Sequence, residues 1–542
     1  MKRVVLCAVF ALFVAGVIWF AFFQRNHSSV SAAHLAPANS IFYVECRDFA
    51  ETRKRWPDSD LSKIVAEPTV RRFFDYSARN LPDGFKTALQ ALLRLSPSTI
   101  FFSSYALNPE DWIFGVHCSG DLRSWETLVG NPLAAAFSSR FTALAASSDS
   151  EPMQPAKGRL FGVRTGSWVL FSLKPVYLQD AVRRSNSVNS GLDTTELFQR
   201  CRAHMPDDAD FYGFASGAGL KVVQRKMDPF LPSADVSGLL FSAKFDGRRI
   251  RDTLFAYSPH RQPADDLGGD GLFLTSDNTL LYAGTTLDTV KLKTAVDSLP
   301  SRYAISATVK QYFEAVTRLG ISFGELEHLV KGVELVLNEN PADDSVGGAF
   351  VIEIRDPVRS GEILQTILRE EFPDRYQEKQ IDGSTAYLFR DRDSTSLAIG
   401  IFGQDLIATT GERAYQAACK AIEGEKVGLP DPPEPEEKGA VRQAQTLRLY
   451  VDARSLFEKS YTALRPVLIL GSALVPDLER YIDAANLPDS TEISRHLSPV
   501  VLTRRVLPDG VLDESIGTLT GYELGLIGVG GVIGVSAASG RY

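Results

Sequence analysis

The sequence predicts an α+β protein: an N-terminal transmembrane helix, then a tandem duplication of one α+β unit whose largely antiparallel sheets are packed by helices on one face. Three observations predict it. The strand–turn–helix stretch Ser40–Lys54, SIFYVECRDFAETRK, returns without gaps as Thr279–Lys293, TLLYAGTTLDTVKLK, with Tyr43 over Tyr282. Strands and helices interleave with recurring hairpins, without the regular βα alternation of a doubly wound parallel sheet. The chain also begins with a long apolar run.

That run is Val4–Phe23, VVLCAVFALFVAGVIWFAFF, about twenty uncharged residues, which matches a ~30 Å hydrocarbon core. Trp19, Phe20, Phe22 and Phe23 crowd its far end, and Lys2 and Arg3 precede it. Aromatic rings favour the membrane interface and basic residues favour the cytoplasmic side, so residues 1–24 read as a signal-anchor. A cleaved secretory signal is the rival, with Ser31-Ala32-Ala33 as the small-residue site, but the apolar run is longer than a signal core. Either way the body is exported. Residues 25–38 form a small polar linker.

The first copy is placed at 39–274 and the second at 275–520. Thr69–Asp75 falls on Thr308–Glu314 in the same register, and Val70, Phe73 and Phe74 define a helix face matched by Val309, Tyr312 and Phe313. Strands are expected at Thr99–Phe102 with Trp112–His117, and at Val333–Leu337 with Ala349–Ile354. Each pair leads into a short helix near Trp125 or Ile363. Further pairs follow at Arg159–Val163 with Trp168–Ser172, and at Ala386–Phe389 with Leu397–Ala408. Here one constant shift sets Gly162, Val169, Tyr177 and Tyr212 over Gly400, Ile407, Tyr415 and Tyr450. Another strand–helix unit begins at Phe211 or Leu447. A hairpin on Asp246-Gly247 or Asp509-Gly510 closes each copy, since Asp-Gly suits a turn with positive φ.

Two stretches break the symmetry. Leu429–Gly439, LPDPPEPEEKG, reads as an exposed extended loop over 429–439. The apolar insertion 463–478 lies around Pro466 and Pro476, too close together to span a membrane, and reads as a packed surface helix, with a hydrophobic contact to lipid or a partner as the alternative. The tail 521–542 contains Leu524–Ala538, apolar and glycine-rich, which suits a flexible or strand-like segment, one inserted in a membrane, or a partner-binding peptide.

Composition bounds the chemistry. In 542 residues, 44% are hydrophobic and 23% charged, as in globular domains, and the net charge of −8 lacks the basic footprint that nucleic acid requires. Cys7, Cys46, Cys118, Cys201 and Cys419 form no CxxC pair, and buried free thiols are expected of the last four. No P-loop, HExxH, GxSxG or EF-hand pattern occurs.

Three stretches are candidates for chemistry, and none of them takes a catalytic, cofactor or metal role on its residues. His117-Cys118 lies on a strand, where neighbours point to opposite faces, so a packing role is expected. Asp265–Gly271, DDLGGDG, gathers three carboxylates but lacks the alternating ligands of a Ca²⁺ loop, so it reads as a solvated connection. Arg390-Asp391-Arg392-Asp393 reads as a hairpin turn in water.

Leu35–Val44, LAPANSIFYV, behind an anchor and small linker, with Trp56, Leu61-Ser62, Glu67-Pro68 and Val70 beyond it, resembles a domain-of-unknown-function family of uncharacterised membrane-anchored bacterial proteins of the Planctomycetes–Verrucomicrobia type. The strand–turn–helix at Leu406–Cys419 fits the same pattern. The resemblance implies a bacterial source and an inner-membrane location with an extracytoplasmic body, and transfers no functional residue. The expected function is a non-enzymatic binding or scaffold body of the cell envelope, held in the membrane by residues 4–23, with an envelope protein or lipid as partner. The alternatives are a lipid or lipoprotein carrier with an apolar groove, and an enzyme with its site at the junction of the copies.

Overall fold

The structure, a computed structural model, describes residues 30–72, 83–84, 87–88, 90–91, 97–106, 110–117, 125–136, 139–144, 158–187, 190–221, 236–259, 266–287, 322–340, 345–391, 394–425, 446–474 and 487–520. The apolar run 4–23, the helix expected around Val309, Cys118, the 429–439 loop and the 521–542 tail lie outside them. Among the described residues no helix is long and apolar enough to cross a membrane.

The first half contains β1 (Phe42–Cys46), β2 (Thr99–Ser104), β3 (Trp112–His117), β4 (Arg140–Ala143), β5 (Arg159–Thr165), β6 (Trp168–Ser172), β7 (Phe211–Ser216), β8 (Gly238–Asp246) and β9 (Arg249–Tyr257). The second contains β10 (Thr279–Thr286), β11 (Val330–Glu339), β12 (Val346–Ile354), β13 (Tyr376–Ile381), β14 (Ser384–Asp391), β15 (Ser394–Phe402), β16 (Asp405–Thr409), β17 (Leu447–Val451), β18 (Val500–Leu507) and β19 (Gly510–Gly517). The fold is α+β, with the 19 strands among the described residues in one sheet, antiparallel except where β4 joins β5.

Inside their outer edges, where β4 joins β5 in parallel but β14 joins β15 antiparallel and β13 follows, the two halves have the same strand neighbours. β1 lies between β2 and β7, and β10 between β11 and β17. From there one side runs through β3, β6 and β5, or β12, β16 and β15. The other side runs through β8 and β9, or β18 and β19. The two series meet where β9 pairs with β19. Following the ladders out from Tyr43 and Tyr282 makes Thr253 the counterpart of Glu514, and those two residues are paired with each other. The seam therefore has two-fold pairing, with the buried Asp252 and Asp513 as counterparts on either side of its centre.

Helices cover both faces of the sheet, not one as expected. In the first half, helices Ala32–Leu35, Pro175–Ser185 and Glu196–Arg202 bury Ala32, Leu178, Ala181 and Phe198 against Tyr43, Phe101 and Leu170. Trp125, Val129, Leu133 and Ala134 pack on the opposite face against Cys46, Ile100, Trp112 and Phe114. This is why all six residues of β3 are buried, and why its sequence shows no alternation. In the second half, helix Glu412–Lys420 packs Tyr415, Ala418 and Cys419 on the Tyr282 side, and helix Pro357–Glu371 packs Leu364 and Leu368 on the other.

Local chemistry explains several boundaries. Asp48 accepts from the Glu51 amide at 3.2 Å and Asp356 from the Arg359 amide at 3.0 Å, each opening a helix, the second reinforced by Pro357. Gly166 and Gly403 take φ of +58° and +61° in two-residue hairpin turns. These glycines are counterparts, which places Leu178, Ala181 and Val182 over Tyr415, Ala418 and Cys419. The register of Gly162, Val169 and Tyr177 on Gly400, Ile407 and Tyr415 is thus displaced by one residue. Ladder pairing likewise sets Phe214, not Tyr212, over Tyr450.

Other expectations are corrected too. The Leu397–Ala408 strand is two strands, β15 and β16, with β13 added at the edge. Gly247 takes φ +59° in its turn as expected, but the second hairpin turns at Pro508-Asp509, and Gly510 already pairs in β19. The apolar insertion begins earlier, in helix Ala453–Leu474, which runs through Pro466. Within the 25–38 linker, Ala32, Ala33 and Leu35 are core residues. Trp168 Nε1 donates to the Val30 carbonyl at 3.2 Å, so this part of the chain is docked on the body.

Candidate functional site

The strongest concentration of ionisable groups lies on the Tyr282 face, beneath the connection from β9 to β10. Ladder pairing builds it from side chains far apart in sequence. Arg448 of β17 pairs with Gly284 of β10, and Gly284 with Glu334 of β11. Gly332 pairs with Glu353 of β12, and Glu353 with Asp405 of β16. Residues opposite one another across a ladder project to the same face, so these form one polar row across five strands. Glu334, Glu353, Asp405 and Arg448 are all buried.

The 266–274 connection covers this row as a strap. The Gly269 amide donates to Glu353 Oε1 at 2.9 Å and the Gly271 amide to Glu334 Oε1 at 3.0 Å, setting Asp270 between two gripped carboxylates. Tyr282 Oη donates to Glu334 Oε2 at 2.5 Å, Lys331 reaches Glu353 Oε2 at 3.2 Å, and Arg448 Nη2 donates to the Leu267 carbonyl at 3.3 Å. Small residues are required here. A Cβ on Gly271 would lie 2.9 Å from Glu334 Cβ, and one on Gly284 only 2.7 Å from Leu267 Cδ2 and 2.8 Å from Tyr282 Oη. Leu267 is buried, and Leu272 and Leu274 pack on the Tyr282 and Val336 core. Of the expected 265–271 loop, Asp265 lies outside the described residues, and 266–271 is docked rather than solvated, although Asp266 and Gly268 are exposed.

Burial raises Asp405 to about 8, reinforced by the charges of Asp270 and Glu353. Burial also raises Glu334 to about 7, opposed by the hydrogen bonds from Tyr282 and Gly271. Asp270 is raised by burial and then by Glu353. Asp405 and Asp270 lie within hydrogen-bonding reach of each other, a bond that Asp405 can donate only while protonated. Among the described residues, no three His, Cys, Asp or Glu side chains are arranged to hold a metal ion. The row is suited to storing protons and to holding the strap.

The matching row in the first half carries different chemistry. Glu353 and Asp405 are replaced by His117 and Trp168, Glu334 by Phe101, Gly284 by Glu45 and Arg448 by Tyr212. His117 is buried, bonded through Nδ1 to Ser98 Oγ, and its ring lies 5.1 Å from that of Trp168. Burial lowers its pKa. Tyr43 Oη donates to Glu45 Oε2 at 2.8 Å, and Arg47 and Arg202 lie over the Tyr212 ring. Of the remaining candidates, Arg390 is exposed and Asp391 pairs with Ser394, consistent with a hairpin at that point. Cys46, Cys201 and Cys419 are buried free thiols, with burial pushing Cys201 to about 12 and Cys419 to about 11.

Sequence reasoning singled out the strap but missed Glu334, Glu353 and Asp405. A signal existed: acids at alternate positions of strands that are otherwise apolar, as in VELVL and FVIEI.

No family model matches the chain, and no curated protein matches it. Among solved structures, crystal form III of TP0453 aligns with a TM-score of 0.24 and 10% identity, covering 44% of this chain and 74% of that one. Crystal form I of TP0453 gives a TM-score of 0.24 and 8% identity over 44% and 82%. Likeness at this level carries no argument about fold or function.

Proposed function

We propose that the chain is a membrane-anchored extracytoplasmic protein of the bacterial cell envelope, a non-enzymatic binding or scaffold body tethered by residues 4–23 and built by tandem duplication. The observation that carries this reading is the β9–β19 ladder, which makes the two halves one uninterrupted sheet. Enzyme clefts favour domain interfaces, whereas here the junction is a hydrogen-bonded ladder suited to a rigid platform. Matching strand neighbours from β5 and β15 inward to the seam, and two-fold pairing at the seam, support the duplication. Docking of Val30 and the Ala32–Leu35 helix onto the body would carry the anchor's position directly to the platform.

A reporter fused after residue 40, compared in cytoplasmic-active and exported-active forms, tests the topology. Activity only from the exported-active form is expected, and activity from the cytoplasmic form would refute the anchor reading. The lipid-carrier alternative draws support from Val346, Phe350 and Leu397, which are 48%, 39% and 38% exposed. Saturable uptake of a fluorescent fatty acid that Phe350→Ser abolishes would favour the carrier over the scaffold.

A further inference from the structure

The row beneath the strap holds more negative charge than its surroundings balance. Asp270, Glu334, Glu353 and Asp405 face the cations Lys331 and Arg448, so full ionisation would leave two uncompensated negative charges. Isolated buried charge is costly enough that carboxyls protonate instead. Lys331 is the cation that acts on Asp270, and Arg448 the one that acts on Glu334. Tyr282 of β10 already donates to Glu334. Helix Glu412–Lys420, packed against the 270–274 turn, turns the neutral Tyr415 and Cys419 inward, while Lys420 and the following Glu423 are exposed. On the strap itself, Asp266 and Asp277 are exposed. A divalent cation would balance the same charge, but the described carboxylates are not arranged to hold one.

We propose that this row is a proton-dependent latch: two of its carboxyl groups keep their protons while the 266–274 strap is docked, and release of those protons to solvent frees the strap from the sheet. The geometry explains the coupling. Asp270 is part of the strap, and its neighbours Gly269 and Gly271 grip Glu353 and Glu334 through backbone amides. Asp405 lies beside Glu353 across the β12–β16 ladder, so charge on Asp405 repels both Glu353 and the strap's Asp270. Because the strap joins β9 to β10, its release would loosen the connection between the halves without breaking the β9–β19 seam.

Hydrogen–deuterium exchange on the full-length protein tests this directly. Protection of the strap amides, corrected for intrinsic exchange, is expected to fall about tenfold or more between about pH 6 and about pH 9, while amides of the β18–β19 ladder keep theirs. Asp405→Asn should reduce the fall and retain wild-type protection at the lower pH, because one of the two titrating protons is lost with it, and Glu334→Gln provides the same readout if the first variant does not fold. Protection independent of pH, or an undiminished fall in both variants, would overturn the latch. Restoration of protection at the higher pH by added CaCl2 or MgCl2 would also overturn it, by identifying a cation as the neutralising species.

Discussion

Asp405 and Glu334 illustrate how one side chain sets a pH dependence for a whole molecule. Burial, then Asp270 and Glu353, lift Asp405 to about 8, whereas an aspartate in an unfolded chain titrates near ~4. The folded state thus binds this proton more tightly than the unfolded state. Its contribution to stability is complete below about pH 4 and declines as pH rises, disappearing as pH passes about 8. Glu334, at about 7, acts in the same direction. Urea unfolding should show higher stability at about pH 5 than at about pH 9, with Asp405→Asn flattening the profile by roughly 2 kcal/mol or more; equal stability at both pH values would show that Asp405 ionises freely. Tyr282→Phe makes a second test. It removes the phenol from Glu334 Oε2 at the row's centre and should cost about 1–3 kcal/mol. Tyr43→Phe should cost less, because Glu45 keeps Arg47 at 3.3 Å, and the reverse order in urea titrations would contradict this difference.

At the scale of elements, what was legible followed from which interactions are local. The strands Trp112–His117, Arg159–Val163 and Trp168–Ser172, and the helices at Trp125, Tyr177 and Tyr415, were readable because apolar runs and caps are local features. β13, YQEKQI, was not, because four of its residues are exposed polar side chains with no buried alternation. The Pro508-Asp509 turn was missed because Asp-Gly is a strong hairpin signal, yet the β9–β19 ladder controls Gly510. The buried acids in VELVL and FVIEI were visible one by one, but the row was not, because strand ladders bring residues 334, 353 and 405 together and the strap's amide contacts add residue 270. Gly510 gives this reading a test. Its Cβ would lie 2.3 Å from the Ala256 carbonyl oxygen, so Gly510→Ala must part the seam and should cost about 1–3 kcal/mol. At Gly247, φ is +59° and no atom lies within 4 Å of a new Cβ, so Gly247→Ala bears only the left-handed conformation, about 1 kcal/mol. Chemical denaturation showing the larger loss at Gly247 would return the second turn to Asp509-Gly510.

At the scale of the whole molecule, the seam determines whether the halves behave as one body. Separate domains normally meet through modest, polar contacts and move relative to each other. Here β9 is paired on one side with β8 and on the other with β19, so no boundary free of backbone hydrogen bonds separates the halves. Thr253, paired with Ser242 and with Glu514 at the centre of the seam, is the position where one change reaches both. Proline there removes an amide hydrogen from a central strand, where the sheet does not tolerate it. The wild-type body should unfold in a single calorimetric transition, with β1 and β10 losing hydrogen-exchange protection together. Thr253→Pro should lower that transition for both strands by the same number of degrees. Two separate wild-type transitions, or a loss confined to β1, would mean that the halves are stable independently and that the ladder between them only joins their edges.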